Sequence, residues 1–182
     1  MELDLVLISL GERVLLGVYQ NNFLCASYTS KLKTSEALVG VFSQLFEDFK
    51  NPAIYPTIYP DLPAIKGVYY AKGPGSFTSL KLTHVFLHTL ALIHDFELYS
   101  TTGFDFNDNT PILAYANKYF VSKERESLTD FKDLKIAPKD FMLPPFLEKD
   151  KFTQLNTPFY ILPPNLVYNA SFKNERVSKI GV

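Results

Sequence analysis

The chain has 182 residues, 47% of them hydrophobic and 16 of them Phe, so it has the means to bury a real core and is not a disordered polymer. Its formal net charge is -1, with basic residues scattered along the chain. That excludes a nucleic-acid grip built by this chain alone and leaves service to nucleic acid through a partner.

The first run, MELDLVLISL, is apolar, but Glu2 and Asp4 stand where a signal peptide carries basic residues, and the run is too short to span a bilayer. Cys25 is the one cysteine, which precludes an internal disulfide and fits a reducing compartment. Inside an apolar run it reads as a small core residue rather than a nucleophile. The expectation is a soluble, cytoplasmic protein with no membrane contact.

Leu3 to Leu10, Arg13 to Tyr19 and Phe23 to Tyr28, separated by GE and QNN, predict a three-stranded meander. The first strand is apolar on both faces beyond its start, which places it in the middle of a sheet covered by helices. Thr34 or Ser35 can cap a helix that runs to about Lys50, with Glu36 in the first turn. Leu38, Phe42, Leu45 and their neighbours form its apolar stripe. NPAIYPTIYPDLP is a proline-broken connection. A strand from Ile65 to Ala71, a glycine turn at Gly73 to Gly75, a helix from Phe77 to His94 and a strand from Phe96 to Ser100 then imply parallel pairing through a right-handed crossover. PILAYANKYFVS reads as one further strand, and Lys123 to Asp133 as a charged turn or short helix. TPFYILPPNLVYNASF reads as a last strand or an extended tail. The division expected is residues 1–105 and a reduced unit, 106–182.

Two features invite chemistry. KGPGSFTS, between a strand and a helix, sets backbone N–H groups and a helix N-terminus where an anion could dock. Equally, Gly73 and Gly75 can serve a sharp turn while Ser76 or Thr78 caps the helix, and the pattern fits neither phosphate-loop nor dinucleotide spacing. His84 and His88 have the one-turn spacing of a zinc pair, yet no Glu lies between them and no third ligand is evident, so they read as structural or interface residues. No catalytic constellation assembles. The helix of Phe77 to His94 is apolar around most of its girth, with Lys81, His84, Val85, His88 and Leu92 on a mixed strip that asks for a cover beyond the sheet.

The stretch KGPGSFTSLKLTHVFLHTLAL resembles the GPGSFTGLRIG segment and following helix of the TsaB (YeaZ) family, whose members are non-catalytic partners in making threonylcarbamoyladenosine on tRNA. The meander, the helix before the motif, YSTTGFDF and the closing segment extend the resemblance over residues 1 to about 120 and part of the tail. Gly73, Pro74, Gly75, Ser76, Phe77 and Thr78 are its most specific piece. The resemblance implies an α/β fold of the actin/Hsp70 (ribonuclease H-like) kind, a mixed sheet with helices on its faces, here with a shortened second half.

It also implies a partner face on the two helices, drawn from Leu38, Val41, Phe42, Leu45, Lys81, His84, Val85, His88 and Leu92. The partners implied are a TsaD-type catalytic subunit, a TsaE-type ATPase through the complex, or a second copy, with tRNA reached only through the complex. The sequence departs from the family at Ile8 and Ser9, where an Asp-Thr pair stands, at Lys33, at Tyr115 to Asn117, and at Lys81 in place of Arg. Without the carboxylate a Mg-nucleotide site lacks an anchor. No cofactor is expected, and ATP or ADP is left only a place at a partner interface. The competing reading is a small ATP- or phosphate-binding enzyme with Lys72 and Lys81 as charge partners.

Overall fold

A computed structural model describes residues 2–51, 53–55, 64–121 and 128–159. The first strand, β1 (Glu2–Ile8), forms a hairpin with β2 (Val14–Gln20), which pairs antiparallel with β3 (Phe23–Ser30) across a two-residue turn. Asn21 and Asn22 both take positive φ there (50° and 68°). This is the backbone hand that a two-residue hairpin wants and that Asn tolerates. After α1 (Thr34–Phe49), β4 (Ala64–Ala71) joins β1 in parallel. The chain then crosses over through α2 (Phe77–His94) and adds β5 (Glu97–Thr101) parallel to β4.

The strand order is β3-β2-β1-β4-β5, so the doubly apolar β1 is central. Leu3, Leu5 and Leu7 point to one face with Leu16, Val18, Val68 and Tyr70, and α1 and α2 both lie on it. Val6, Ile8, Tyr19, Tyr69 and Ala71 make the other face, which no long helix among the described residues covers. A proline-bearing extended segment lays Phe141, Leu143, Leu147 and Phe152 over it. Pro144 and Pro145 keep that segment from being a helix. It is pinned by bonds from the Tyr19 hydroxyl to the Pro144 carbonyl (2.7 Å) and from the Leu24 N–H to the Pro145 carbonyl (3.1 Å). Buried Asp4 is matched by Lys149 of the same segment at 2.6 Å.

Several sequence expectations are corrected. The stretch expected to be one strand turns back on itself as β6 (Ile112–Tyr115) and β7 (Lys118–Phe120), with Ala116 at φ 47° in the reversal. With β8 (Leu128–Asp130) they form a second, three-stranded sheet, whose core is Phe104, Ile112 and Phe120. Of the expected charged turn at 123–133, residues 123–127 lie outside the described residues, and Phe131–Asp133 is a 3-10 turn. The tail, read as a last strand or an extended tail, is described only to Phe159. Lys33, not Thr34 or Ser35, occupies the N-cap of α1, and the Thr34 hydroxyl meets Ser79 of α2 at 2.9 Å. Cys25 is exposed, not core. It falls where the register slips between Val18 opposite Ala26 and Tyr19 opposite Leu24, as the extra residue of a bulge.

Candidate interaction face and glycine turn

The glycine turn joins the end of β4 to α2. Gly73 has φ +127° and a cis bond to Pro74. Its carbonyl accepts the Gly103 N–H at 2.7 Å, while the Lys72 N–H donates to the Thr101 carbonyl at 2.9 Å. The turn is therefore stitched to the start of the segment after β5. Its outer side is taken by the chain itself: a Cβ on Gly73 would lie 2.9 Å from the Phe159 carbonyl oxygen, and one on Gly75 would lie 3.2 Å from Leu10 Cδ2. Ser76 sits at the N-cap of α2, but its hydroxyl makes no capping bond, and Thr78 is exposed. The Lys72 amine donates to the Leu155 carbonyl at 2.9 Å and burial lowers its pKa, so one of the two proposed phosphate cations already has a backbone partner. Gly73→Ala should destabilise the chain by about 2–3 kcal/mol, since its φ strains an L side chain and the methyl meets backbone. Thermal unfolding should show a Tm lower by roughly 5–10 °C; a Tm unchanged to about 1 °C would mean that the turn relaxes freely.

At the position of the Asp-Thr pair expected from the resemblance, Ile8 is buried in apolar surroundings, and the Ser9 and Thr83 hydroxyls lie 2.7 Å apart, joining β1 to α2. Beside the turn, a groove of about 650 Å³ opens between the β1–β2 connection and the small sheet, lined among others by Leu10, Arg13, Lys31, Ser76, Asn107 and Asp140. Arg13 stands 3.6 Å from Asp140. Asn107 is buried and its Oδ1 has no partner. Among the described residues no three His, Cys, Asp or Glu side chains assemble as a metal set.

The two helices divide sharply. Leu38, Val41, Phe42 and Leu45 of α1 are all buried in the chain's own core. They were expected to face a partner, and this is corrected: an amphipathic stripe states that a face is covered, and here the sheet and α2 cover it. Phe42 packs edge-on against Phe86 of α2 at 5.2 Å. In α2 only Leu80, Thr83 and Leu87 are fully buried. Val85 is 56% exposed, Leu92 88% and Ile93 66%, with Leu82 and Lys81 also exposed, and Val39 of α1 is a further exposed apolar side chain. His84 and His88, on the same strip as Val85 and Leu92, are less exposed than either. Their rings lie 4.2 Å from each other and are half-buried. Burial first, and then the second imidazole, hold His84 below the ordinary histidine value. Sequence reasoning missed Asn156, whose side-chain amide donates to the Leu98 carbonyl and whose carbonyl accepts from the Tyr70 hydroxyl, each at 2.9 Å, because a lone polar residue in an aperiodic stretch carries no signal of its position. Among the described residues no helix is long and apolar enough to cross a membrane.

No protein-family model and no curated protein matches the chain. Among solved structures the chain is similar to YeaZ from Pseudomonas aeruginosa, with TM-score 0.51 and 12% identity over 65% of this chain and 57% of that one. A structure described as an uncharacterized protein with similarity to peptidase YEAZ from Pseudomonas aeruginosa matches with the same figures. The match thus spans little more than half of either structure's length. At this identity the likeness shows the fold: a mixed five-stranded α/β sheet of the YeaZ kind, with a shortened remainder.

Proposed function

We propose that the chain is a divergent, shortened relative of the TsaB family and works as a non-catalytic scaffold or activator subunit. It docks through α2 on a TsaD-type catalytic subunit that forms threonylcarbamoyladenosine on tRNA in the cytoplasm. The observation that carries this is the exposed apolar row Leu82, Val85, Leu92 and Ile93 on a helix whose opposite side already packs on the sheet, because such a face is stabilised by a protein cover. The GPGSFT hexapeptide and the YeaZ-like fold support the choice of partner. Residues 1–105 supply the docking unit, with 106–182 as its reduced companion. Transfer of the threonylcarbamoyl group belongs to the partner, a TsaE-type ATPase joins through the complex, and tRNA is met only there. A second copy of this chain competes for the same face as a resting dimer. Co-expression with a TsaD-type subunit, followed by capture of either protein, should recover both, and the recovered pair should restore modification of tRNA by a TsaD-type subunit that is inactive alone. Recovery of one protein without the other overturns the reading.

The second reading, a small ATP- or phosphate-binding enzyme, is favoured by the groove beside Ser76, with the unpartnered Asn107 Oδ1 as an acceptor for a nucleoside N–H or O–H. Titration calorimetry with ATP and Mg²⁺ separates the two. Heat of binding to the isolated chain, lost in Asn107→Leu, supports the enzyme; none supports the scaffold.

A further inference from the structure

On the exposed side of α2, Thr78, Leu82, Val85, Thr89 and Leu92 follow one another at intervals of four, three, four and three residues, and all five are exposed. This alternation averages 3.5 residues, the period that keeps one seam of a helix against a second helix crossing it at about 20°. A flat protein surface imposes no such period. The polar group in the middle of the seam is already used, since the Thr89 hydroxyl donates to the Val85 carbonyl of its own helix at 2.9 Å. Its methyl is left to meet a neighbour.

Two copies of α2 laid antiparallel along this seam can slide in steps of seven residues, and one register seats every apolar member. It sets Leu82 against the second copy's Leu92 and Val85 against its Thr89, each contact occurring twice about a two-fold axis. A slide of seven either way strands Leu82 or Leu92 beyond the other copy's seam. One flank of the seam faces α1, through Phe86 on Phe42 and Ser79 on Thr34. The opposite flank carries Lys81, His88 and, at the C-cap, Asp95. In the register that seats the apolar members, Lys81 falls against the second copy's Asp95, and His88 against its own counterpart on the axis. Lys81 and Asp95 are exposed, and neither is ion-paired to another described residue. A parallel pair would instead set Lys81 by Phe86 and His88 by Ile93, with no charge to meet.

We propose that the isolated chain pairs with a second copy of itself through antiparallel α2 helices, with Leu82–Leu92 and Val85–Thr89 layers along the seam and a Lys81–Asp95 ion pair at each end. This rests on the reading of the exposed side of α2 as a docking face, and it names the geometry of the second copy there. The apolar layers supply the affinity. The ion pairs lie at the solvent-facing rim, so they contribute little energy and chiefly select the antiparallel register. Ile93 and Val39 of α1, both exposed, extend the contact on the α1 flank. The arrangement closes on itself, so association stops at the dimer.

Sedimentation equilibrium of the full chain between about 1 and about 500 μM at low salt gives the dimer Kd. Lys81→Glu and Asp95→Lys should each raise it by roughly tenfold, because each turns two attractions into two repulsions, and a one-to-one mixture of the two variants should restore a heterodimer to within about threefold of the wild type. A chain that is monomeric throughout, a Kd indifferent to both reversals, or a mixture no tighter than its components overturns the proposal. Residue 95 has φ 54°, and should Asp95→Lys fail to fold, a mixture of Val85→Cys and Thr89→Cys chains, each also Cys25→Ser, decides. Oxidation should give the mixed covalent dimer, and its absence overturns the register. The docking reading fails separately: a TsaD-type subunit captured by a chain that never dimerises contradicts the pair and leaves that reading standing, whereas a charge-sensitive dimer that captures none does the reverse.

Discussion

Phe42→Ala should destabilise the chain by about 3–5 kcal/mol, the range for deleting a fully buried aromatic ring. Phe42 lies in the layer between α1, α2 and the sheet, within ring-contact distance of Phe86 and Phe46, and a rigid helix pair cannot collapse far into the void. Thermal unfolding should record a Tm lower by roughly 10 °C or more. Were Phe42 a partner contact instead, the isolated variant would melt close to the wild type and lose only association. Stability therefore separates core from interface, independently of any partner.

Val85→Asp and Leu92→Asp should do the reverse. Both positions are exposed in the isolated chain, so a carboxylate there is solvated and stability should stay within about 0.5 kcal/mol of wild type. Placed at the centre of an apolar interface, the same charge is buried without a partner, and association should weaken by at least about 2 kcal/mol, roughly 30-fold in Kd. Surface-immobilised binding of the TsaD-type subunit to each variant measures it. Wild-type affinity in both would remove this face from the account.

Much of the architecture was readable because it is written in periodicity. The double-sided apolarity of β1 placed it at the sheet centre, and the strand–glycine turn–helix–strand succession implied the parallel β4 and β5 pairing that is found. What was not readable shares one physical cause, that partner identity is non-local. The stripe of Leu38, Val41, Phe42 and Leu45 announces burial without saying against what. The reversal at Ala116 and Asn117 puts its positive φ on Ala116, not on the Asn that usually carries it. The segment Phe141–Phe152 covers a whole sheet face with no helical or strand period to betray it, because prolines and single aromatics do the covering. The histidine pair is visible in the sequence as a one-turn spacing, but the 4.2 Å ring separation and the half-burial of both rings belong to the fold.

The central claim is that the exposed side of α2 is a protein-docking face. Its most direct test is solution mass by size exclusion with light scattering, for the chain alone and mixed with a TsaD-type subunit from the same source. The account predicts a heterocomplex that forms at the expense of any homodimer and is absent with Val85→Asp. Masses that remain those of the separate proteins, with or without nucleotide and the ATPase subunit, would contradict it.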